Sequence, residues 1–196
     1  MRAGIFVGGR GTRMGGVAKG LLAGADGVPL VVRAARILEG LGINPVLVGA
    51  HEAYQHVGLR MLTDDPGAEG PLAGLLSLLS GGDALAIACD MPAFTRAAIE
   101  RLLAAPPAPI VAPRRLARDL GREVWEPLFA RYYATVLPSA QAFAARGERR
   151  LQRLLDEAGA VPLALGPEEH AWLQDWDLPS DVPGLPDPAA REKDRE

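Results

Sequence analysis

The residues of this chain that are best suited to chemistry lie in a glycine-rich segment near the N-terminus. Residues 8–19 read GGRGTRMGGVAK, and their cationic side chains include Arg13 and Lys19. Glycines let the backbone approach an anion closely, so that successive N–H groups point at phosphate oxygens. A guanidinium and an ammonium group can then neutralise the charge of the anion. The segment is predicted to bind phosphate; the alternative is a surface loop whose basic residues are only solvated.

Two common glycine motifs do not fit this segment. The P-loop requires Gly-Lys followed by Ser or Thr, whereas Lys19 follows Ala18 and precedes Gly20. The fingerprint of dinucleotide-binding proteins requires glycine at its sixth place, which is Met14 when the motif begins at Gly9. A nicotinamide-dependent dehydrogenase is therefore a weak interpretation.

Asp90 is the candidate metal ligand, because it follows an apolar strand predicted over residues 84–88. Mg²⁺ prefers one or two carboxylates together with phosphate oxygens and water. In a parallel α/β sheet, ligands bind beyond the carboxyl ends of the strands, where Gly8, Asp64 and Asp90 all fall. We therefore predict that Asp90 binds Mg²⁺ beside the glycine-rich segment, although an aspartate before Pro92 can also cap a turn.

Two acidic pairs leave the assignment of individual carboxylates open. One of Asp64 and Asp65 is expected to face the ligand while the other caps the turn at residues 66–67, and Asp64 is the favoured ligand contact. Asp175 and Asp177 either add a second carboxylate to the metal or form a solvated acidic loop.

The elements that must position these residues alternate between strand and helix. Short apolar runs and turn signals predict strands at 3–7, 45–48, 59–62, 84–88, 110–112, 128–130 and 161–165. Helical patterns cover 30–38, 51–57, 71–79, 95–104, 139–145 and 149–155. This order predicts an α/β fold, a Rossmann-like three-layer sandwich with a mostly parallel central sheet. Residues 114–122 are predicted to be a polar connection, residues 1–182 one domain, and 183–196 a disordered tail.

Composition limits the classes of partner. The 196 residues are 48% hydrophobic and 23% charged, with a net charge of −3, so no global basic field favours nucleic acid. The single cysteine, Cys89, cannot form an internal disulfide, which fits a reducing compartment. The N-terminal apolar run is too short for a signal peptide, and no run approaches a membrane span. We expect a cytoplasmic protein without a nucleic-acid or membrane partner.

Five segments, in order, resemble those of the molybdenum cofactor guanylyltransferases (molybdopterin-guanine dinucleotide biosynthesis protein A), a family of the nucleotide-diphospho-sugar-transferase-like superfamily. The resemblance extends from the first strand to Asp181. Besides the glycine-rich segment with Lys19, the matching segments are Gly70-Pro71-Leu72-Ala73-Gly74, Cys89-Asp90-Met91-Pro92, Pro127-Leu128-Phe129-Ala130 and Gly147-Glu148-Arg149-Arg150.

The resemblance implies an enzyme that joins GMP from GTP to the phosphate of molybdopterin and releases pyrophosphate. It implies Mg²⁺ as cofactor, and transient contact with proteins that mature molybdoenzymes. Arg13, Lys19 and Asp90 would be catalytic, with Asp90 holding the metal. The implied nucleotide contacts are Phe6, Val7, Gly8, Gly9, Lys19, Asp64, Gly70, Pro71, Leu72 and Asp90. Six arginines are candidate contacts for the anionic acceptor if they converge on the cleft: Arg114, Arg115, Arg118, Arg122, Arg149 and Arg150.

The chain departs from the family pattern at several positions. Ala18 replaces an aspartate, Gly49 replaces an asparagine at the end of the second strand, and Glu126 replaces the histidine of a His-Pro pair. The late Asn-x-Asn-x-Pro motif is here Asp175-Trp176-Asp177-Leu178-Pro179, which is closer to the Asp-x-Asp of cytidylyltransferases. The alternatives are thus a cytidylyl- or sugar-phosphate nucleotidyltransferase of the same fold, or a non-catalytic protein that binds a nucleotide or cofactor.

Overall fold

A computed structural model of the chain describes residues 1–8, 14, 16–117 and 121–184. The strands are β1 (Arg2–Phe6), β2 (Asn44–Val48), β3 (Met61–Leu62), β4 (Ala84–Ala88), β5 (Ile110–Ala112), β6 (Arg114–Ala117), β7 (Arg122–Trp125), β8 (Phe129–Tyr132) and β9 (Val161–Pro162). The α-helices are α1 (Leu30–Glu39), α2 (Pro71–Leu79), α3 (Arg96–Leu103), α4 (Leu137–Ala145) and α5 (Leu151–Glu157). Short 3-10 helices cover Lys19–Leu21, Glu52–Val57, Ala134–Val136, Glu169–Leu173 and Pro179–Asp181.

Seven strands form the central sheet, in the order β3-β2-β1-β4-β8-β5-β9. Strands β3, β2, β1 and β4 are mutually parallel, whereas β8 runs antiparallel to both of its neighbours, β4 and β5. Strand β4 is apolar throughout and β1 is apolar after Arg2, as expected for strands that are covered on both faces. The prediction of a mostly parallel sheet is confirmed.

Helices cover the sheet on both faces, each with its own hydrophobic core. On one face, α1 and α3 bury Val31, Leu38 and Leu102 against the sheet. On the other, α2, α4 and α5 bury Leu75, Phe143 and other side chains against the opposite sides of the same strands. Alternate residues of β1 belong to different cores, which is the period-two pattern of a strand inside a sandwich. The predicted three-layer architecture is confirmed.

The register of the sheet brings the ends of distant segments to one edge. Phe6, the last residue of β1, is level with Val48 of β2 and with Ala88 of β4. The residues that follow these three strands therefore emerge side by side. Because β8 is antiparallel to β4, the residues that precede β8 reach the same edge: Ile87 pairs with Phe129, the first residue of β8. This edge carries the candidate site.

The predicted polar connection at 114–122 is wrong. Residues 114–117 and 122–125 instead form an antiparallel hairpin, β6–β7, in which Arg114 is paired with Trp125 and Leu116 with Glu123. The guanidinium of Arg114 lies 4.0 Å from the centre of the Trp125 ring. The arginines concealed the strand pattern, since a cation stacked on a buried indole can occupy a position at which a prediction looks for an apolar side chain.

Two further sequence predictions concern the ends of the chain. Residues 185–196, which hold most of the predicted disordered tail, lie outside the described residues, and the assignment of 1–182 to one domain remains a prediction. Among the described residues, no helix has both the length and the apolar character needed to cross a bilayer.

Candidate active site

A cleft of about 350 Å³ opens at the carboxyl edge of β1, β2 and β4. It brings together most residues singled out from the sequence: Phe6, Val7, Gly8, Lys19, Asp64, Gly70, Pro71 and Asp90. Its remaining lining comes from Val48, Gly49, Tyr54, Gly74, Ala88, Cys89, Leu128 and Asp177. The predicted contacts Gly9 and Arg13 lie outside the described residues. The Leu72 side chain is buried in the core below α2, so its backbone N–H is what it can offer a ligand.

Lys19 and two carboxylates form the polar centre of the cleft. The Lys19 Nζ donates a hydrogen bond to Asp90 Oδ2 at 3.0 Å and a second one to Asp177. Burial lowers the pKa of Lys19, but hydrogen bonds and charges from Asp177 and Asp90 more than offset this and raise the pKa above its usual value. Lys19 is therefore fully protonated at neutral pH, and the centre holds two carboxylates for one ammonium group.

Asp177 reaches this centre through a backbone contact. The Trp176 N–H donates a hydrogen bond to the Asp90 carbonyl at 3.0 Å, which joins the C-terminal segment to the end of β4. The Trp176 side chain is buried beside Met14 and Leu30, and so anchors the segment. Of the two alternatives for Asp177, the structure brings it to the same ammonium group as Asp90.

A buried tyrosine fixes the backbone next to Lys19. The Gly20 N–H donates a hydrogen bond to the Tyr54 hydroxyl at 2.9 Å, and Tyr54 is 2% exposed. A Cβ added to Gly20 would lie 3.0 Å from both Tyr54 Oη and Cys89 Cβ, so residue 20 needs to be small. The 3-10 turn that carries Lys19 is thus held against the end of β4.

The two neighbouring aspartates after β3 have different environments. Asp64 lines the cleft, and burial raises the pKa of its carboxyl group. Asp65 accepts a hydrogen bond from the Gly67 N–H at 2.8 Å, as in an Asx-turn. The predicted division of roles matches this geometry, with Asp64 facing the cavity.

The floor of the cleft is made by glycines that approach one another closely. Gly49 has φ +100°, and a Cβ there would lie 2.8 Å from Gly8 Cα. At Gly74 of α2, an added Cβ would lie 2.3 Å from Val48 Cγ1. Side chains at these positions would push β1, β2 and α2 apart, so the departure at Gly49 is a steric requirement of this backbone.

A second charged cluster lies on the β8 side of the same edge. The Arg115 Nε contacts Glu126, and the Arg115 Nη2 lies 3.7 Å from Asp175 Oδ2. Burial, with smaller effects from the charges of Asp175 and Asp90, raises the pKa of Glu126 to about 7 against the opposing effect of Arg115. Burial and the Asp177 charge also raise the pKa of Asp175.

Cys89 and the histidines show no sign of a catalytic role. Burial raises the pKa of the Cys89 thiol to about 12, so the thiolate is scarce at neutral pH. Across the described part of the chain, no group of three or more His, Cys, Asp or Glu side chains converges as a metal cage would require. A divalent ion here must take further ligands from a bound anion and from water.

The carboxylates around Lys19 suit Mg²⁺, provided that a bound anion and water supply its other ligands. Asp90 and Asp177 already converge on one cation, the Lys19 ammonium group. Mg²⁺ is commonly held by one or two carboxylates together with substrate phosphates. The donor set is therefore suitable for this ion once a phosphate is bound.

Sequence reasoning missed Tyr54, Gly74 and Leu128 as lining residues. Tyr54 lies in the 3-10 helix Glu52–Val57, and nothing in its local pattern indicates that it reaches across to Gly20. Gly74, in α2, and Leu128, in the turn before β8, fall within matched segments but carry no chemical signal of their own. These contacts depend on tertiary structure.

Comparison with known sequences gives consistent matches. The family model described as MobA-like NTP transferase domain matches residues 3–161. The molybdenum cofactor guanylyltransferase of Serratia proteamaculans is 32% identical over 174 residues, covering 86% of this chain and 85% of that protein. The protein of the same name from Rhodobacter capsulatus is 31% identical over 199 residues, covering 97% and 94%.

Solved structures agree on the fold. Molybdopterin-guanine dinucleotide biosynthesis protein A from Archaeoglobus fulgidus superposes with a TM-score of 0.71 at 21% identity, covering 93% of this chain and 95% of that one. At this level of identity, the likeness concerns the fold alone.

Proposed function

Since the chain belongs to the family of MobA-like NTP transferases, we propose that it transfers GMP from GTP to the phosphate of molybdopterin and releases pyrophosphate. The observation that carries the proposal is the meeting of Lys19, Asp90 and Asp177 in a cleft with glycine-lined walls. A triphosphate with a divalent ion requires a cation for its phosphates, carboxylates for the ion, and a glycine backbone that can approach the phosphates closely.

The reaction needs positioning and charge neutralisation more than proton transfer. An oxygen of the acceptor phosphate attacks the α-phosphorus of GTP; the new P–O bond forms as the bond to the β-phosphate oxygen breaks, and pyrophosphate leaves with its charge. The acceptor phosphate is already ionised at neutral pH, so no general base is needed. Lys19 is proposed to move from the carboxylates to a phosphate oxygen, which it can do because it is protonated and partly exposed.

The nucleoside is proposed to occupy the half of the cleft above β1, β2 and α2. Backbone groups at Phe6, Val7 and Gly8, and the N-terminal end of α2 at Gly70, face the cavity there. Pro71 and Leu72 open that helix, whose free N–H groups suit an acceptor atom such as a purine O6. Asp64, at the same wall, is proposed to contact the nucleoside. Gly9 and Arg13 complete the proposed phosphate site.

Mg²⁺ is the proposed cofactor, with Asp90 and Asp177 as its protein ligands. When bound, the ion would act as a Lewis acid on the phosphate oxygens and orient them. The chain's own contribution is to hold two carboxylates at fixed positions, Asp90 through β4 and Asp177 through the Trp176 backbone contact.

The direct test is a nucleotide panel. Purified protein, Mg²⁺ and molybdopterin are incubated with GTP, CTP, ATP or UTP, and pyrophosphate release is measured. Release with GTP, dependent on molybdopterin, is the expected result. Release with CTP in place of GTP would assign the chain to the cytidylyl alternative, which its Asp-x-Asp motif favours. Binding of GTP without release in any combination would favour a non-catalytic binding protein.

Substitution of the two neighbouring aspartates separates the ligand contact from the turn cap. We expect Asp64→Asn to raise the KM for GTP by about tenfold, since a charged hydrogen-bond acceptor is lost from the cleft wall. Asp65→Asn is the matched control, because an amide oxygen can still accept from the Gly67 N–H. Equal effects of the two substitutions in steady-state kinetics would contradict the assignment.

Removal of the Tyr54 hydroxyl tests the support of Lys19. Tyr54→Phe leaves the Gly20 N–H without its partner, at a cost of about 1–3 kcal/mol in the free energy of unfolding. We expect kcat with GTP to fall several-fold as well, measured beside denaturant unfolding. Tyr133→Phe, at the residue that follows β8, serves as control, because the Tyr133 hydroxyl makes no hydrogen bond to any residue that the structure describes. A loss of stability with unchanged kcat would show that Tyr54 does not position the lysine.

The cellular setting belongs to the same proposal. A cytoplasmic location is supported by the single cysteine and by the biosynthetic reaction itself. GTP and molybdopterin are the proposed partners, and contact with molybdoenzyme maturation proteins would follow from delivery of the product.

A further inference from the structure

We propose that Arg115 binds the acceptor's phosphate group and is held in place for this by Glu126 and Asp175. The inference rests on the proposed function and names a residue of the same site that binds the second substrate. Of the six arginines considered from the sequence, Arg118 lies outside the described residues. Among the other five, Arg115 is the one whose guanidinium group contacts the segment that also carries Asp177, the partner of Lys19.

The topology of the sheet supports this position. Residues that face the nucleoside half of the cleft follow β1, β2 and β3, on one side of Asp90. The next two strands on the other side of β4 are β8 and β5; Glu126 lies shortly before β8, and Arg115 lies in β6, which begins two residues after β5. The Glu126 N–H donates a hydrogen bond to the Pro113 carbonyl at 3.0 Å, which ties the two segments together. An acceptor that enters from the side of Asp90 away from the nucleoside would contact the cluster of Arg115, Glu126 and Asp175.

The side chain of Arg115 is both anchored and accessible. Its Nε contacts Glu126, whose side chain is 19% exposed, while Arg115 itself is 41% exposed. The Asp175 carboxylate lies 3.7 Å from Nη2, too far for a strong hydrogen bond. The guanidinium group therefore keeps N–H donors for a further anion. Asp175 is two residues from Asp177, so the same segment links Arg115 to the Lys19 centre.

The arrangement suits a phosphate better than a neutral ligand. A guanidinium group offers a planar fork that matches two phosphate oxygens. Glu126 at Nε and Asp175 near Nη2 hold the guanidinium group in place, but they do not use all of its N–H donors. The carboxylates of Asp90, Asp175 and Asp177 repel an anionic acceptor, and the guanidinium charge of Arg115 would act with Lys19 and the proposed Mg²⁺ to reduce this repulsion.

The test compares Arg115→Ala with Arg101→Ala. Arg101 is a matched control: it has the same 41% exposure and its own glutamate, Glu169, at 3.6 Å, but lies on α3. We expect Arg115→Ala to raise the KM for molybdopterin about tenfold to a hundredfold and to leave the KM for GTP within twofold. Arg115→Lys should recover part of the loss. An unchanged KM for molybdopterin, or an equal rise with Arg101→Ala, would overturn the proposal.

A double variant excludes an indirect effect of the unpaired glutamate. Arg115→Ala combined with Glu126→Gln removes both charges of the closer pair, so Glu126 is no longer left as an unpaired carboxylate. The acceptor defect should persist in the double variant; recovery of the wild-type KM would overturn the proposal.

A binding measurement separates the failure of this proposal from that of the proposed function. Molybdopterin binding is measured by tryptophan fluorescence without nucleotide. If the wild-type protein bound molybdopterin but released no pyrophosphate with any nucleotide, the proposed function would fail, and weaker binding by Arg115→Ala would still support the arginine's role. Equal binding by both proteins would overturn that role.

Discussion

Asp90→Asn is expected to lower kcat for pyrophosphate release by about a hundredfold or more, while the KM for GTP changes much less. Asp90 is proposed to hold Mg²⁺ at the reacting phosphates, and an ion in this position contributes several kcal/mol of charge stabilisation in the transition state. An amide has nearly the same shape as the carboxylate but lacks its charge. The loss should therefore appear in turnover, as measured by steady-state kinetics with saturating molybdopterin.

Asp177→Asn is the matched control for this substitution. Asp177 contacts the same Lys19 ammonium group, so both variants remove one carboxylate from the same centre. The Asp177 side chain is 45% exposed against 17% for Asp90, so water screens its charge more strongly. Asparagine is also the residue that the resembled family usually carries in the late motif, so the variant should keep activity within about tenfold. Thermal unfolding should be similar for both. Equal loss of kcat in the two variants would contradict the primary role of Asp90.

Lys19→Met is expected to lower kcat/KM for GTP by about 10²–10³, the effect of removing one charged donor from a transition-state oxyanion. Methionine keeps the length of the side chain and removes its charge. Lys19→Arg should restore part of the activity, since it restores a cation with different geometry. A decrease below fivefold in the methionine variant would contradict the assignment of Lys19 to the phosphates.

The same variant has a second expected property. Without the ammonium group, Asp90 and Asp177 face each other with no cation between them, and like charges at short range destabilise the folded state. We expect added Mg²⁺ to raise the unfolding temperature of Lys19→Met more than that of the wild-type protein. This is measured by thermal scans in EDTA and in excess Mg²⁺. An equal response of both proteins would argue against a carboxylate site for the ion.

Much of the fold could be predicted because its signals are local. An apolar run ended by glycine predicted β1, an apolar run ended by Cys89-Asp90 predicted β4, and Pro71 after a glycine marked the start of α2. The hairpin β6–β7 was not predicted, because its strand residues include arginines. The contact of Arg114 with Trp125 that supports it joins the two strands and does not show in either strand alone. Charge at a strand position conceals a pattern that is defined by burial.

In the candidate site, too, the residues with local sequence signals could be predicted and the tertiary contacts could not. Gly8, Lys19 and Asp90 could be predicted because each lies at the end of an apolar strand or in a glycine cluster. The contacts of Tyr54 with Gly20, and of Arg115 with Glu126, join residues far apart in sequence or concealed by charge. Such pairs leave no periodic pattern in a single sequence, so they become visible only in the folded structure.

The backbone contact between Trp176 and Asp90 has a consequence for how this enzyme can diversify. The family model ends at residue 161, yet the carboxylates of Asp175 and Asp177 arrive from beyond it. One face of the candidate site is thus supplied by a short C-terminal strap, outside the part of the chain that the family model covers. Exchange of that strap between relatives would change the proposed metal ligand Asp177 and the Arg115 partner Asp175 together, while the sheet beneath them stays the same.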